Sequence, residues 1–286
     1  MKADLHIHSQ YSFDATFSVE DIIKMAKEKN IEYISITDHN SIDAYKKEYT
    51  NINIIKGIEI DCYFNNDIVH LLGYGIDINN DVYKALKEHY YKELDRIAYK
   101  RLKLIEEHYG CKLDLDKIKN STKMDIFTNV EITKVLLNDI KDSRLEEYQT
   151  GAKSDNPIAN FYWDNLVIGE WGYTEIDLPD YKDIIDLIHQ DGGVCICAHP
   201  FVNIKKNIES INKLIDSGID GFEAYCSYHN QDIAEFYYNV CKDNNLLFTC
   251  GSDFHGPNKP NIELYDHHYQ EDCSEWLNKL LNRIKI

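Results

Sequence analysis

The sequence predicts an α/β protein, a distorted (β/α)7 TIM-like barrel carrying a helical insertion. Three observations predict it. Strand-like and helix-like segments alternate over the first quarter of the chain. The alternation resumes after residue 180. Histidines and carboxylates collect where the strand-like segments end. Strands separated by helices favour a parallel sheet with right-handed crossovers. About seven such units point to a closed or distorted barrel, whose chemistry lies at the C-terminal strand ends.

Residues 2–8 (KADLHIH) read as a strand. Ser18 and Asp21 resemble a capping box opening a helix over 19–30. Residues 31–37 are a second strand, followed by a short helix near 43–49, and 54–61 are a third strand. Residues 67–75 follow a turn at Asn65–Asn66 and can pair back as a hairpin. From 79 to 109 the apolar positions Tyr83, Leu86, Tyr90, Leu94 and Ile97 recur at helical spacing. More helix is expected over 130–137, whereas 140–180 reads as polar, aromatic and irregular. Residues 79–180 are therefore expected to form a helical insertion capping the active-site face, with 1–78 and 181–286 as the barrel core. In the last part, 180–190 is a helix ended by Gly192–Gly193, 194–200 a strand, 209–218 a helix and 219–225 a strand. Then 232–244 is a helix, 246–253 a strand, and 274–284 a closing helix.

The bulk composition narrows the function. A chain of 286 residues with 43% apolar and 28% charged residues is an ordinary globular protein with ample core. Its formal net charge of −18 repels polyphosphate backbones, so long nucleic acid is a poor partner and a small substrate a better one. No apolar run is long enough to span a bilayer, and MKADLHIHS has neither the apolar core nor the cleavage site of a signal peptide. A cytoplasmic protein is expected. The eight cysteines include no CxxC pair, so they are expected to be reduced, mostly as small buried apolar residues.

His6 and His8 lie two apart on a strand, so both side chains point one way and suit a single divalent ion. Asp38–His39 closes the second strand, although Asp38 alone reads equally as a helix cap. Glu59 closes the third. His70 sits in an apolar run, where a lone histidine is more often a satisfied core residue than a ligand. His199 ends VCICA, and Asp253 and His255 end the last core strand. Cys195 and Cys197 share parity with His199, and packing is the better reading for them. Each signal is modest. Packing supplies no reason for so many ionisable groups at successive strand ends, and without cations they are costly to bring together.

The stretches DLHIHSQYSFDAT, SITDHNSIDAY, GIEID, HLLGYG, GGVCICAHP, GIDGFEAYCSYHN and GSDFHGPNKPNIEL, in this order, resemble the PHP (polymerase and histidinol phosphatase) superfamily. The resemblance implies a distorted β/α barrel, a cluster of two or three divalent ions and phosphoester hydrolysis. Carried over, it assigns the first ion to His6, His8, Glu59 and Asp253. Glu59 bridges to a second ion that His70 and His199 also hold. Asp14, His39 and His255 take a third, with Asp253 as a further bridge. Asp14 is followed by Ala15 where the family often has glycine. Asp38 becomes a partner that orients an imidazole from behind.

Three divalent ions on these residues would outweigh the carboxylates Asp14, Glu59 and Asp253 and make a positive pocket in an acidic body, where a metal-bound water would attack phosphorus. The mixed ligands suit manganese, iron or zinc. His229 is the candidate for touching the phosphate or the leaving group. Arg96, Lys100 and Arg101 are the cationic candidates on the long insertion helix, with a solvated helix face as the ordinary reading. Glu170 stands in GEWGY where the family often has a basic residue, which would disfavour a second phosphate and suit an amine or hydroxyl. Trp163, Trp171, Tyr162 and Tyr173 either stack on a base or form the insertion's own core. The expected activity is hydrolysis of a small phosphomonoester, a nucleotide or nucleoside bisphosphate among the options. The alternatives are a histidinol-phosphate phosphatase, an exonuclease on short oligonucleotides, and a metal-binding module without turnover.

Overall fold

Backbone hydrogen bonding sorts the strands into two sheets. The structure, a computed structural model, describes residues 1–50, 52–65, 67–122 and 125–284. Its strands are β1 Ala3–Ile7, β2 Tyr33–Ile36, β3 Asn53–Ile54, β4 Gly57–Phe64, β5 Asp67–Tyr74, β6 Val194–Cys197, β7 Gly221–Cys226 and β8 Leu247–Gly251. The first sheet, β1-β2-β3, is parallel throughout. The second, β4-β5-β6-β7-β8, is mixed: β5 runs antiparallel to both β4 and β6, and β6, β7 and β8 are parallel.

The α/β class is therefore observed and so is the hairpin expected at 67–75, while the paired strands of the described residues do not close into the distorted (β/α)7 barrel suggested by the sequence. Among the described residues no strand ladder joins the two sheets, which are linked instead by isolated bridges, Ile7 with Phe254 and His39 with Glu59, and by side-chain packing. The physical reason is the hairpin. Only a short turn separates β4 from β5, and so short a connection can join only antiparallel neighbours. Their ladder runs unbroken from Gly57–Tyr74 to Phe64–Asp67. At the turn Asn65 is left-handed (φ 53°), and Asn66 lies outside the described residues.

The chain divides into two compact units. One comprises Met1–Lys84, Leu178–Gly256 and the chain from Ile262 onward; the other comprises Ala85–Asp177 with Pro257–Asn261. In the first, β1 is buried along its whole length, as a strand covered on both faces must be. Leu5, Leu72, Tyr74, Ile196, Trp276 and Leu280 pack on one side of the sheets, and Ile7, Ile22, Ile34, Ile36 and Phe254 on another. The helix Val19–Glu28 begins where Ser18 accepts a hydrogen bond from the Asp21 amide (3.1 Å). In the second unit, Ile105, Phe127, Ile132, Leu136 and Phe161 form a separate core. Residues 140–180, read as irregular from the sequence, contain the helices Glu146–Gln149 and Pro157–Asn165. Pro157 starts the latter, its fixed φ suiting a first helical turn. No helix among the described residues is long and apolar enough to cross a membrane.

Candidate metal centre

Six strands of the first unit bring residues to one buried cluster, four of them at or just past their ends and β4 and β5 from within. β1 delivers His6 and, one residue past its end, His8, with Ile7 turned the other way into the core. β4 supplies Glu59 and β5 His70. His39 follows β2 and is tied to β4 by the amide of Asn40, which donates to the Glu59 carbonyl (2.7 Å). His199 follows β6, and Asp253 and His255 follow β8. His199 (φ 24°), Asp253 (φ 56°) and Asn40 (φ 51°) are left-handed, a conformation that costs energy in non-glycine residues and gathers at functional sites. Gly251 serves the same end: a Cβ there would lie 2.3 Å from the His6 Cβ and 2.6 Å from Glu223 Oε1.

All nine residues proposed from the sequence as ligands come together. Glu59 Oε2 lies 3.2 Å from His6 Nε2 and 3.1 Å from His8 Nε2, and Asp253 Oδ1 lies 3.2 and 3.1 Å from the same nitrogens. Glu59 turns its other oxygen, Oε1, to His70 Nδ1 (3.0 Å) and His199 Nε2 (3.1 Å). Asp14 Oδ2 lies 3.1 Å from His255 Nε2 and 3.7 Å from His39 Nε2. The His8 and His255 rings stack at 3.9 Å. Ala15 keeps an ordinary φ, so the turn beside Asp14 does not need glycine.

The donor set fits divalent cations. His6 Nε2, His8 Nε2, His255 Nε2 and Glu59 Oε2 are buried ligand atoms with no hydrogen-bond partner. The opposite nitrogen of each of these rings is held. His6 Nδ1 meets Glu223 (3.0 Å), His8 Nδ1 meets Ser12 Oγ (3.3 Å), and His255 Nδ1 meets the Asp253 carbonyl (2.8 Å). Such partners fix the ring and leave Nε2 as the free ligand atom, the usual arrangement behind metal-bound histidines. Four groups of ligand atoms lie within 4.8 Å of one another: His6, His8, Glu59 and Asp253; Glu59, His70 and His199; His8, Asp14, His39 and His255; and His39, Asp61 and His70.

Electrostatics point the same way. Burial opposes ionisation of Glu59, yet His39, His6 and His70 hold its carboxyl well below the usual range. Burial likewise opposes Asp14, which His255 and His39 hold well below its usual value. Burial lowers His6, but Glu223, Glu59 and Asp253 outweigh it and keep the ring well above its ordinary pKa. Burial and the neighbouring His255 depress His8. Buried carboxylates gathered with imidazoles carry a desolvation cost that a bound cation would offset.

The remaining sequence candidates have other partners. His229 is buried: Nδ1 meets the Ala224 carbonyl (2.8 Å), Nε2 accepts from the Phe201 amide (3.4 Å), and the ring stacks on Tyr237. Burial depresses its pKa to about 4, so it is a neutral packing histidine rather than a group offered to a substrate. Asp38 accepts from the Ser9 amide (2.6 Å) and hydroxyl (2.7 Å), so it braces the loop after β1 rather than an imidazole. Arg96, Arg101 and Glu170 belong to the second unit. Arg96 is paired with Glu93 (2.6 Å), buried Arg101 donates to Asn129 (3.2 Å), and Glu170 is exposed in a turn. Trp171 stacks on His108 at 3.8 Å and donates to Asn165, and Tyr162 packs against the same unit's core, while Trp163 is 40% exposed. Seven of the eight cysteines are buried, Cys111 is half-buried, and none is in a disulfide.

Four residues of the centre escape sequence reasoning. Glu223 also accepts from the His199 amide (2.8 Å). The Ser12 hydroxyl donates to Asp14 (2.7 Å) and accepts from the His39 amide (3.3 Å). The Tyr228 hydroxyl donates to Asp253 Oδ2 (2.6 Å). Asp61 meets His39 Nδ1 (2.8 Å). Asp61 was detectable, since it shares strand parity with Glu59 as His8 does with His6.

A family model for the PHP domain matches residues 4–237. The phosphoribosyl 1,2-cyclic phosphate 1,2-diphosphodiesterase of Eggerthella lenta is 22% identical over 90% of this chain and 95% of its own length. The 5′-3′ exoribonuclease Rnm of Salmonella typhimurium is 24% identical over 91% of this chain and 87% of its own. Among solved structures, an amidohydrolase of Chromobacterium violaceum with bound sulfate superposes with a TM-score of 0.79 at 20% identity, covering 100% of this chain and 98% of that one.

Proposed function

This chain belongs to the PHP domain family of metal-dependent phosphoesterases, and we propose that it hydrolyses a small phosphomonoester carried on ribose, a nucleotide or nucleoside bisphosphate. The observation that carries the reading is the set of inward-facing orphan atoms on His6, His8, His255 and Glu59, each ring held from behind. The ions would be held by His6, His8, Glu59 and Asp253, by Glu59, His70 and His199, and by Asp14, His39 and His255. Six imidazoles set against three carboxylates suit manganese, iron or zinc over calcium or magnesium. Such ions, when bound, supply a water acidic enough to attack phosphorus and neutralise the phosphate oxygens.

Charge supports a full centre. Asp14, Glu59, Asp61, Asp253 and Glu223 bring five negative charges if all are ionised and the imidazoles are neutral. Two divalent ions would leave a net charge of about −1 and three about +1. Only the second attracts a phosphate dianion, so three ions are the better reading. The chain as a whole, at −18, disfavours a long polyanion. Both relatives, by name, act on phosphate esters of ribose, a phosphoribosyl cyclic phosphate in one case and RNA in the other. This supports ribose as the shared part of the substrate.

The test is phosphate release from mononucleotides, nucleoside bisphosphates, sugar phosphates and oligoribonucleotides of graded length. It uses protein of known metal content with Mn²⁺, Fe²⁺ and Zn²⁺ supplied separately, and His8→Ala as control. Metal-dependent release from mononucleotides, absent in His8→Ala, is expected. Turnover confined to oligoribonucleotides would replace this reading with an exonuclease.

A further inference from the structure

We infer that Asp61 is a positioning residue that sets the proton of His39 and so keeps two groups of the centre from competing for one carboxylate. The inference rests on the metal-centre reading above. Asp61 and Glu59 project from the same face of β4, and across the hairpin Asp61 stands opposite His70 in the ladder. Its Oδ1 lies 2.8 Å from His39 Nδ1 and 3.8 Å from His70 Nε2. On both rings this is the nitrogen turned away from the group each is placed to serve. His39 faces Asp14 through Nε2 and His70 faces Glu59 through Nδ1.

The geometry gives Asp61 a definite task. An imidazole that binds an ion through Nε2 carries its proton on Nδ1, and a buried N–H needs an acceptor. Two carboxylates are in reach of His39 Nδ1: Asp61 at 2.8 Å and Glu59 Oε2 at 3.4 Å. Glu59 Oε2 is also the oxygen that His6 and His8 converge upon. With Asp61 in place, the His39 proton has the nearer acceptor and Glu59 Oε2 stays available to the His6–His8 pair. Without it, His39 must either turn to Glu59 or move its proton to Nε2, where it blocks ligation. His39, Asp61 and His70 also lie close enough to hold an ion themselves. That use competes with the Asp14 group, since a neutral imidazole has one free nitrogen and His39 is needed in both.

Asparagine and alanine separate the possibilities. Asp61→Asn keeps an oxygen that accepts from Nδ1–H but makes a poor metal ligand, whereas Asp61→Ala removes the acceptor. Metal-stripped wild type and both variants, with folding checked by circular dichroism, are titrated with Mn²⁺ and with Zn²⁺, and bound metal per chain is measured directly. Asp61→Ala is expected to weaken one ion by about 10–100-fold, with the tighter ions retained. Asp61→Asn should bind within a few-fold of wild type. Equal loss of one ion from both variants would overturn the inference and make Asp61 a ligand. Unchanged binding in Asp61→Ala would overturn it outright and leave the metal-centre reading intact, whereas failure of wild type to bind either metal would overturn both.

Discussion

Replacing Glu223 separates the roles of the carboxylate behind the centre. This residue is fully buried and accepts from two fixed donors, the His6 ring (3.0 Å) and the His199 backbone amide (2.8 Å). Glu223→Ala strands both. Each unsatisfied buried donor costs about 1–3 kcal/mol, and relief of the carboxylate's own desolvation offsets part of the sum. A net loss of about 3 kcal/mol is expected in metal-free protein. The ion facing His6 should also bind about 10–100-fold more weakly, because the ring is no longer held with Nε2 inward. Glu223→Gln retains one acceptor oxygen, enough for one donor, and should lose about half as much stability. The assay is urea unfolding of chelator-treated protein, followed by metal titration. If Glu223→Ala unfolded within about 0.5 kcal/mol of wild type and bound metal equally, the argument that imidazoles here are set from behind would be wrong.

Gly251→Ala pushes a methyl group onto His6 and Glu223, so it should cost about 1–3 kcal/mol and lower metal content as well; normal content would show that β1 can move without disturbing the centre. His229, with a pKa depressed from 6.5 to about 4 by burial, contributes stability that is fully present above pH 6.5 and lost as pH falls through about 4. The difference amounts to about 3 kcal/mol. The stability gap between wild type and His229→Gln should therefore narrow over that range in urea titrations, and a constant gap would contradict it. Chelation should abolish hydrolysis and lower the melting temperature, both recovering on adding metal back, since an ion at a hundredfold excess over its Kd stabilises by about 2.7 kcal/mol. Activity persisting in protein free of measurable metal would exclude the proposed chemistry.

The element types were largely legible, because period and punctuation carry them. The helix expected over 79–109 is observed as Asp81–Tyr109, and the helix expected over 130–137 as Asn129–Asp139, capped by Thr128 and Glu131. The strand arrangement was less legible. The β4–β5 hairpin was legible from its turn, but alternation is silent on which other neighbour a strand chooses, and so on the division into two sheets. The helix Pro157–Asn165 escaped because it is short and flanked by polar, turn-forming residues, although Ile158, Phe161 and Tyr162 recur at helical spacing and Pro157 marks its start.

The centre was legible in a different proportion. Strand-end position marks most of the ligands because it fixes where a side chain begins, and that information is local, although Glu59, expected to close its strand, lies inside β4, which runs on to Phe64. The partners behind the ligands depend on where a hydrogen bond goes, which is not local. Tyr228 and His229 are neighbours in sequence with opposite outcomes. The tyrosine hydroxyl reaches Asp253, while the imidazole folds back onto the Ala224 carbonyl of its own strand. A histidine looked the better catalyst from its chemistry alone, yet with both ring nitrogens bonded to backbone it has none left for a substrate. The rings of the centre differ from His229 in one respect. Each of His6, His8 and His255 has one nitrogen held and the other buried without a hydrogen bond, facing a carboxylate oxygen at 3.1–3.2 Å. What distinguishes a metal-binding histidine from a packing histidine here is an unmet valence that the fold has gone to the cost of burying.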